Sequence, residues 1–326
     1  MINKGIWKNL VGVVLLFLLS SCATYPKGPQ WQSSLVYTAA GDEQLLHHYA
    51  PVFVAEKAEY DFNKIGTPVA LMKQDQEIVR INPAEGAIYT AVQDFSTKSG
   101  TYTNLLYRVH FSEVPFRIVP FYLGAGRNVG LLAVVTLNEK KQPVLYTLVH
   151  TCGCYLAFVP TSYLSEKSWK RGWKKGRQIV YGENLPRYLQ FSGTQSQRLI
   201  IHLRSGTHRV KNVWLMAENE LAGYPLVRLQ LYPFEALERL SLSDGTTTSF
   251  YETSGARQGY VKDSRKIWER LLISWWALDW RVGEDKKLGR DLRDGIVFYT
   301  SLKPWAREES DMRDFSEFLR YWGWKL

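Results

Sequence analysis

Val129-Gly-Leu-Leu-Ala-Val-Val-Thr-Leu137, Asn138-Glu-Lys-Lys-Gln142 and Pro143-Val-Leu-Tyr-Thr-Leu-Val-His150 read together as one β-hairpin. Two runs rich in β-branched and aromatic residues flank a polar five-residue connection, which is the usual hairpin pattern. Working outward, further strands are expected at 52–54, 88–95, 105–111, 198–203, 212–216 and 226–231. Gly, Pro, Asn and Ser punctuate them at the spacing of a sandwich or a strongly bent sheet. Residues 35–255 are therefore read as a β-rich body.

The pattern changes near Gly255. Ile267, Trp268, Leu271, Leu272, Trp275 and Leu278 recur at helical spacing, and Met312, Phe315, Phe318, Leu319 and Trp322 repeat it. Ser310 is the expected N-cap of the second helix and Gly323 its stop. Gly295-Ile-Val-Phe-Tyr-Thr300 between them looks like one more strand. Residues 256–326 thus form an α-helical C-terminal layer with one strand. The expected class is α+β: an antiparallel β-sandwich-like body with C-terminal helices packed on it.

The N-terminus states an address. Lys4 and Lys8 precede the ten-residue apolar run 10–19, too short to span a bilayer about 30 Å thick. A basic start, an apolar run and small residues before a cut make a secretory signal, here residues 1–21. Leu19-Ser20-Ser21-Cys22 resembles the lipobox of bacterial lipoproteins. That resemblance implies lipidation of Cys22 with two or three acyl chains, and two chains or more anchor stably. Ala23 stands where an Asp would resemble an inner-membrane retention signal, so the implied address is the outer membrane, facing the periplasm. Residues 22–34 read as a tether, with the twelve after Cys22 reaching about 40 Å at full extension.

An apolar share of 45% suits a chain with a real core. The net charge is +10, or +8 without Lys4 and Lys8. Such a balance favours acidic lipid, acidic glycan or an envelope protein, while export removes nucleic acid as a partner. Twelve Trp and nineteen Tyr supply large aromatic area, suited to a core or to a sugar-binding face.

His150-Thr-Cys152-Gly-Cys154 is the constellation with reactive potential. If the strand continues, His150, Cys152 and Cys154 project from one face. Imidazole and two thiolates suit zinc or another divalent metal, although a strand-borne trio needs a further ligand from elsewhere. In an oxidising compartment the same two thiols can instead form a local disulfide, with Gly153 easing the bend. Packed, reduced thiols are the third reading, and no cofactor follows from the sequence by itself. His208, in Ser205-Gly-Thr-His208, is a further candidate for a metal or polar site. His47, His48 and His110 read as surface or turn residues.

Lys167-Ser-Trp-Lys-Arg-Gly-Trp-Lys-Lys-Gly-Arg177 carries six cations and two Trp. It is a solvated loop or, through Trp169, Lys170, Arg171, Trp173, Lys174 and Lys175, a binder of anionic surfaces. Trp268, Trp275, Trp276 and Trp280 form a stripe expected to face the core, because Glu269, Arg270 and Asp279 interrupt any membrane-lying face. No phosphate loop, nucleophile elbow or His-Glu-x-x-His motif is present. No catalytic residue is assigned.

Tyr49-Ala-Pro-Val-Phe53, the hairpin ending in His150, and Ser205-Gly-Thr-His208 resemble the pattern of the necrosis-inducing and Vps62-like β-sandwich proteins. Members of that group carry an acidic Asp-Trp-Glu type cluster ahead of the hairpin, associated with a divalent metal. Here the matching stretch is Gly126-Arg-Asn-Val-Gly130, which has no carboxylate. The resemblance therefore implies a sandwich whose metal site is lost, with His150 and His208 standing at its histidines. The leading functional expectation is a non-enzymatic, membrane-anchored envelope lipoprotein that binds a glycan, lipid or protein partner. The alternative is a metal- or thiol-dependent envelope enzyme centred on His150, Cys152 and Cys154.

Overall fold

Residues 129–150 fold as the expected hairpin, and its two strands sit inside a ten-stranded sheet. The computed structural model describes residues 33–41, 45–74, 76–193, 196–289 and 294–326. Cys22, the signal segment and most of the tether lie outside the described residues. Residues 33–326 make one compact unit holding every described strand and helix.

In chain order the first strands are β1 (Leu35–Ala39), β2 (Val52–Ala55), β3 (Thr67–Lys73), β4 (Gln76–Asn82) and β5 (Ala87–Thr97). Next come β6 (Gly100–Val114), β7 (Gly126–Leu137), β8 (Pro143–His150), β9 (Leu156–Pro160), β10 (Arg177–Val180) and β11 (Glu183–Pro186). The last are β12 (Gln197–Leu203), β13 (Val210–Ala217), β14 (Leu226–Pro233), β15 (Leu240–Ser241) and β16 (Thr247–Thr248). The helices are α1 (Leu45–His48), α2 (Glu218–Leu221), α3 (Ile267–Ala277) and α4 (Phe315–Tyr321).

The large sheet runs β13-β12-β2-β1-β14-β5-β6-β7-β8-β9. Val213 on one edge strand and Val159 on the other belong to the same core. A flat sheet would hold those edges about 40 Å apart, so the sheet curls over and packs against itself. The sandwich-like body is thus one curled sheet. Six of its nine neighbouring pairs are antiparallel; β1–β14, β2–β12 and β5–β14 are parallel. Hairpin signals report only local pairs, whereas parallel pairs need long crossovers, which is why the sequence pattern suggested antiparallel pairing alone.

Along β6, Leu105, Tyr107, Val109 and Phe111 enter the inner core, while Leu106 joins an outer one. The outer core sets Leu132, Val134, Leu145 and Phe158 of the sheet against Phe298, Met312, Phe315 and Phe318 of the C-terminal layer. Because both faces are covered, β7 and β8 are almost continuously buried, which explains their unbroken apolar runs.

Two details of the layer differ from expectation. Residues 295–300 form no strand; Tyr299 makes a single β-bridge with Asp311. Side chains replace the ladder there: Asp311 Oδ1 accepts from Phe298 N (2.9 Å) and Ser310 Oγ from Ser301 N (3.1 Å). Ser310 is therefore held by this loop, and the N-cap of α4 is Asp314, which accepts from Glu317 N at 3.0 Å. Gly323 ends the helix as expected, at φ +89°. Asp314→Ala should cost about 1 kcal/mol, read as a lower urea midpoint with unchanged slope. An unaltered midpoint would mean that packing on the outer core alone sets the helix.

The stripe on α3 is turned the other way from its expected side. Glu269, Ser274 and Ala277 are buried, while Ile267, Leu271, Leu272, Trp275 and Trp276 are exposed. The interrupting carboxylate, read as a break in the apolar face, marks the side that packs inward.

Candidate functional site

Strand β8 delivers His150 to the edge of the inner core, and the chain then turns rather than continuing extended. Gly153 N donates to His150 O (2.7 Å) and His150 N to Tyr155 O (3.1 Å), closing a tight connection to β9. Gly153 has φ +81°, and a Cβ there would lie 2.1 Å from Tyr299 O, so only glycine fits. His150, Cys152 and Cys154 thus converge through a turn and not through a shared strand face.

The turn is fastened from the C-terminal layer. Lys286 N donates to Thr151 O (2.8 Å), and the Lys286 ammonium donates to Cys152 O. Asp285 accepts from Gly130 N at 3.2 Å and from the Thr151 hydroxyl. The buried Lys266 ammonium lies 3.2 Å from Asp285 Oδ2.

Both Cys152 and Cys154 are free thiols, the first buried and the second half-buried. Cys154 N donates to Cys152 Sγ (3.3 Å), and Cys154 Sγ lies 3.4 Å from Glu269 Oε2. Burial opposes ionisation of Cys152. The Cys154 donor, the Lys266 ammonium and the His150 imidazole outweigh it and hold this thiol well below the ordinary range. Cys154 is pushed well above that range, first by its hydrogen bond to Cys152, then by burial and by the Cys152 and Glu269 charges. Glu269 is itself raised by burial, against the pull of Lys266. Cys152 is therefore the more acidic thiol of the pair.

The two histidines do different things. His150 Nε2 meets His208 O at 3.1 Å, and the ring stacks on Tyr155. His208 is buried, stacks flat on Phe111 with centroids 4.1 Å apart, and donates from Nε2 to Phe62 O at 2.8 Å. Burial lowers its pKa to about 3, with the His150 charge adding to the effect. His208 is thus a neutral structural group that positions His150 through its carbonyl. Among the described residues no group of three or more His, Cys, Asp or Glu is placed to hold a metal ion.

His150, Cys152, Cys154 and His208 do line one cavity of about 140 Å³. Val114, Val129, Ile273, Val282 and Leu302 make its apolar wall, and Tyr122, Leu123 and Gly124 reach it from the β6–β7 loop. The volume is close to the roughly 150 Å³ of an engineered benzene-sized cavity and below the roughly 300 Å³ at which drug-sized sites begin. Lys266, Glu269 and Asp285 escaped the sequence reading, although a lone carboxylate in the apolar run 267–278 was a signal for Glu269.

Other candidates lie elsewhere. Trp169 is buried in the outer core, and Trp173 is half-buried, donating from Nε1 to Arg187 O at 3.0 Å. Lys170, Arg171, Lys174 and Lys175 remain exposed, Lys175 pairing with Glu166 at 3.2 Å. The interleaved aromatics thus face inward while the cations face solvent. His110 is fully buried instead of lying at the surface; its Nε2 accepts from Arg108 Nε at 2.9 Å.

No family model matches the chain, and neither a curated protein nor a solved structure is similar to it.

Proposed function

We propose that the protein is a thiol–disulfide exchange protein of the bacterial envelope, anchored through Cys22. The observation that carries this is the turn itself: two free thiols, one accepting a backbone donor beside His150 and a buried ammonium, at the wall of a small cavity. This arrangement favours the thiol-dependent reading over a purely binding one. It favours exchange over acyl transfer too, because the Gly153 and Cys154 amides are committed to His150 O and Cys152 Sγ, leaving neither for an oxyanion.

In the exchange, the Cys152 thiolate attacks one sulfur of an incoming disulfide. A mixed S–S bond forms, the substrate S–S bond breaks, and the leaving thiolate takes the Cys154 proton. Cys154 then attacks Cys152 Sγ and expels the second thiolate. The substrate disulfide gains two electrons and the protein becomes the Cys152–Cys154 disulfide, so the local disulfide and the free pair are two states of one site. A reduced dithiol of the envelope reverses the step.

Cystamine, small enough for the cavity, tests this. The wild-type chain should emerge lighter by two hydrogens, and Cys154→Ser should trap a mixed disulfide on Cys152. Cys152→Ser should slow exchange by about 100-fold. Exchange at the wild-type rate in Cys152→Ser would overturn the proposal.

A further inference from the structure

We infer that α3 and the β6–β7 loop form a face that docks on an anionic lipid bilayer. Among the described residues, 21 large hydrophobic side chains are exposed; nine of them fall in these two segments, and Leu278 and Trp280 directly after the helix add two more. Trp275 is 71% exposed, Leu278 72% and Val119 82%. Phe116 and Phe121 of the loop both pack on the Trp268 ring at 5.6 Å, joining loop and helix into one surface. The apolar area is on the order of 1,000 Å², above the roughly 300–600 Å² of the largest patch on an ordinary monomer.

Charge identifies the occupant. Residues 114–127 and 265–281 expose Arg117, Arg127, Arg265 and Arg270 to solvent, with Arg281 half-buried. Their acids, Glu269 and Asp279, are both buried. Apart from half-buried Glu113, across the strands from Arg127, the charges exposed beside Trp, Leu, Ile and Phe are cations, the composition that suits acyl chains beneath phosphate headgroups. Arg270 sits over the Trp280 ring at 5.4 Å, pairing an interfacial aromatic with a phosphate-seeking cation. No described helix is long and apolar enough to cross a membrane, and α3, about 16 Å long, would lie along the surface.

Docking sets the thiol cavity at the headgroup level. Tyr122, Leu123 and Gly124 from the loop and Glu269 and Ile273 from the helix line that cavity, so its walls are the backs of the docking elements. The docking face stands on exposure and charge alone and does not depend on the exchange chemistry.

The compact unit 33–326, which lacks Cys22, tests it with vesicles of equimolar phosphatidylcholine and phosphatidylglycerol. The unit should co-sediment, and brominated lipid should quench its Trp fluorescence. Leu271→Ser/Trp275→Ser/Leu278→Ser should weaken partitioning about tenfold or more, with an unchanged thermal melt because these side chains are exposed. Arg117→Gln/Arg270→Gln should weaken binding to the mixed vesicles but not to phosphatidylcholine alone. Replacing Lys170, Arg171, Lys174 and Lys175 by Gln should leave binding within about threefold. Absence of vesicle binding, wild-type binding by the triple Ser variant, or loss of binding in the four-Gln variant would each overturn the inference. So would a stable dimer that dissociates on the Ser substitutions, since a second copy would then be the occupant.

Discussion

Lys266→Met will lower stability by about 3–5 kcal/mol and raise the pH at which Cys152 ionises. Lys266 is 4% exposed and its partner Asp285 1%. Burial pushes a lysine toward neutrality, but Asp285, the Cys152 thiolate and Glu269 outweigh it and keep the ammonium charged. Removing the ammonium strands a buried carboxylate that also holds Gly130 N and the Thr151 hydroxyl, two of the contacts fastening the cysteine turn. The same ammonium is among the causes that hold Cys152 below the ordinary thiol range. One substitution therefore has two independent readouts: urea unfolding, and the pH profile of alkylation by iodoacetamide. Lys266→Met/Asp285→Asn should recover part of the stability, because a neutral amide still accepts from Gly130, yet it should leave the alkylation profile shifted upward. Unchanged unfolding together with an unchanged profile would show that this ion pair neither supports the turn nor activates the thiol.

What the sequence revealed followed the range of the interactions that make each element. The 129–150 hairpin was legible because both strands and their turn are contiguous, and its two-sided burial wrote unbroken apolar runs. The parallel pairing of β1 with β14 joins segments about 190 residues apart, and no local pattern encodes it. Periodicity located α3 but could not say which side is covered. A stripe of Trp and Leu reads alike whether it meets a core or a membrane, and only the company of Glu269, Ser274 and Ala277 distinguishes them. The same held at the site. His150, Cys152 and Cys154 stand together in the chain and were read together, and His208 joins them through its backbone carbonyl. Lys266, Glu269 and Asp285, which charge and fasten the turn, come from a layer more than 100 residues later. Trp169 and Trp173 were legible as aromatics among cations, but not as side chains turned inward to meet the C-terminal layer.

Acid will destabilise the protein across a window set by His208. In the unfolded chain this imidazole takes its proton near pH 6.5, whereas in the folded protein it stays neutral down to about 3. A depressed folded-state pKa gives stability that is complete above the unfolded value and is lost as pH falls toward the folded one. At 1.36 kcal/mol per unit, the loss between pH 6.5 and 3 is about 5 kcal/mol for this group. The cause is physical enclosure: His208 lies flat on Phe111, gives its Nε2 proton to Phe62 O, and leaves Nδ1 buried without a partner. His110, lowered by burial and by the Arg108 charge beside it, adds in the same direction. Glu56 adds too. Burial opposes its ionisation, but His202 and Lys211 hold it ionised down to about 2. Glu269 and Asp285, raised by burial, act the other way by taking protons in the folded state first. The single variant His208→Gln isolates one share of this balance, since Gln keeps an N–H for Phe62 O but has no titration. Urea unfolding at pH 7, 5 and 4 should give a steep fall for the wild type and a shallower one for the variant. Parallel curves would place the acid sensitivity in the other groups. A steeper wild-type curve would mean that the residue aligning His150 also sets the lowest pH at which the thiol site remains folded.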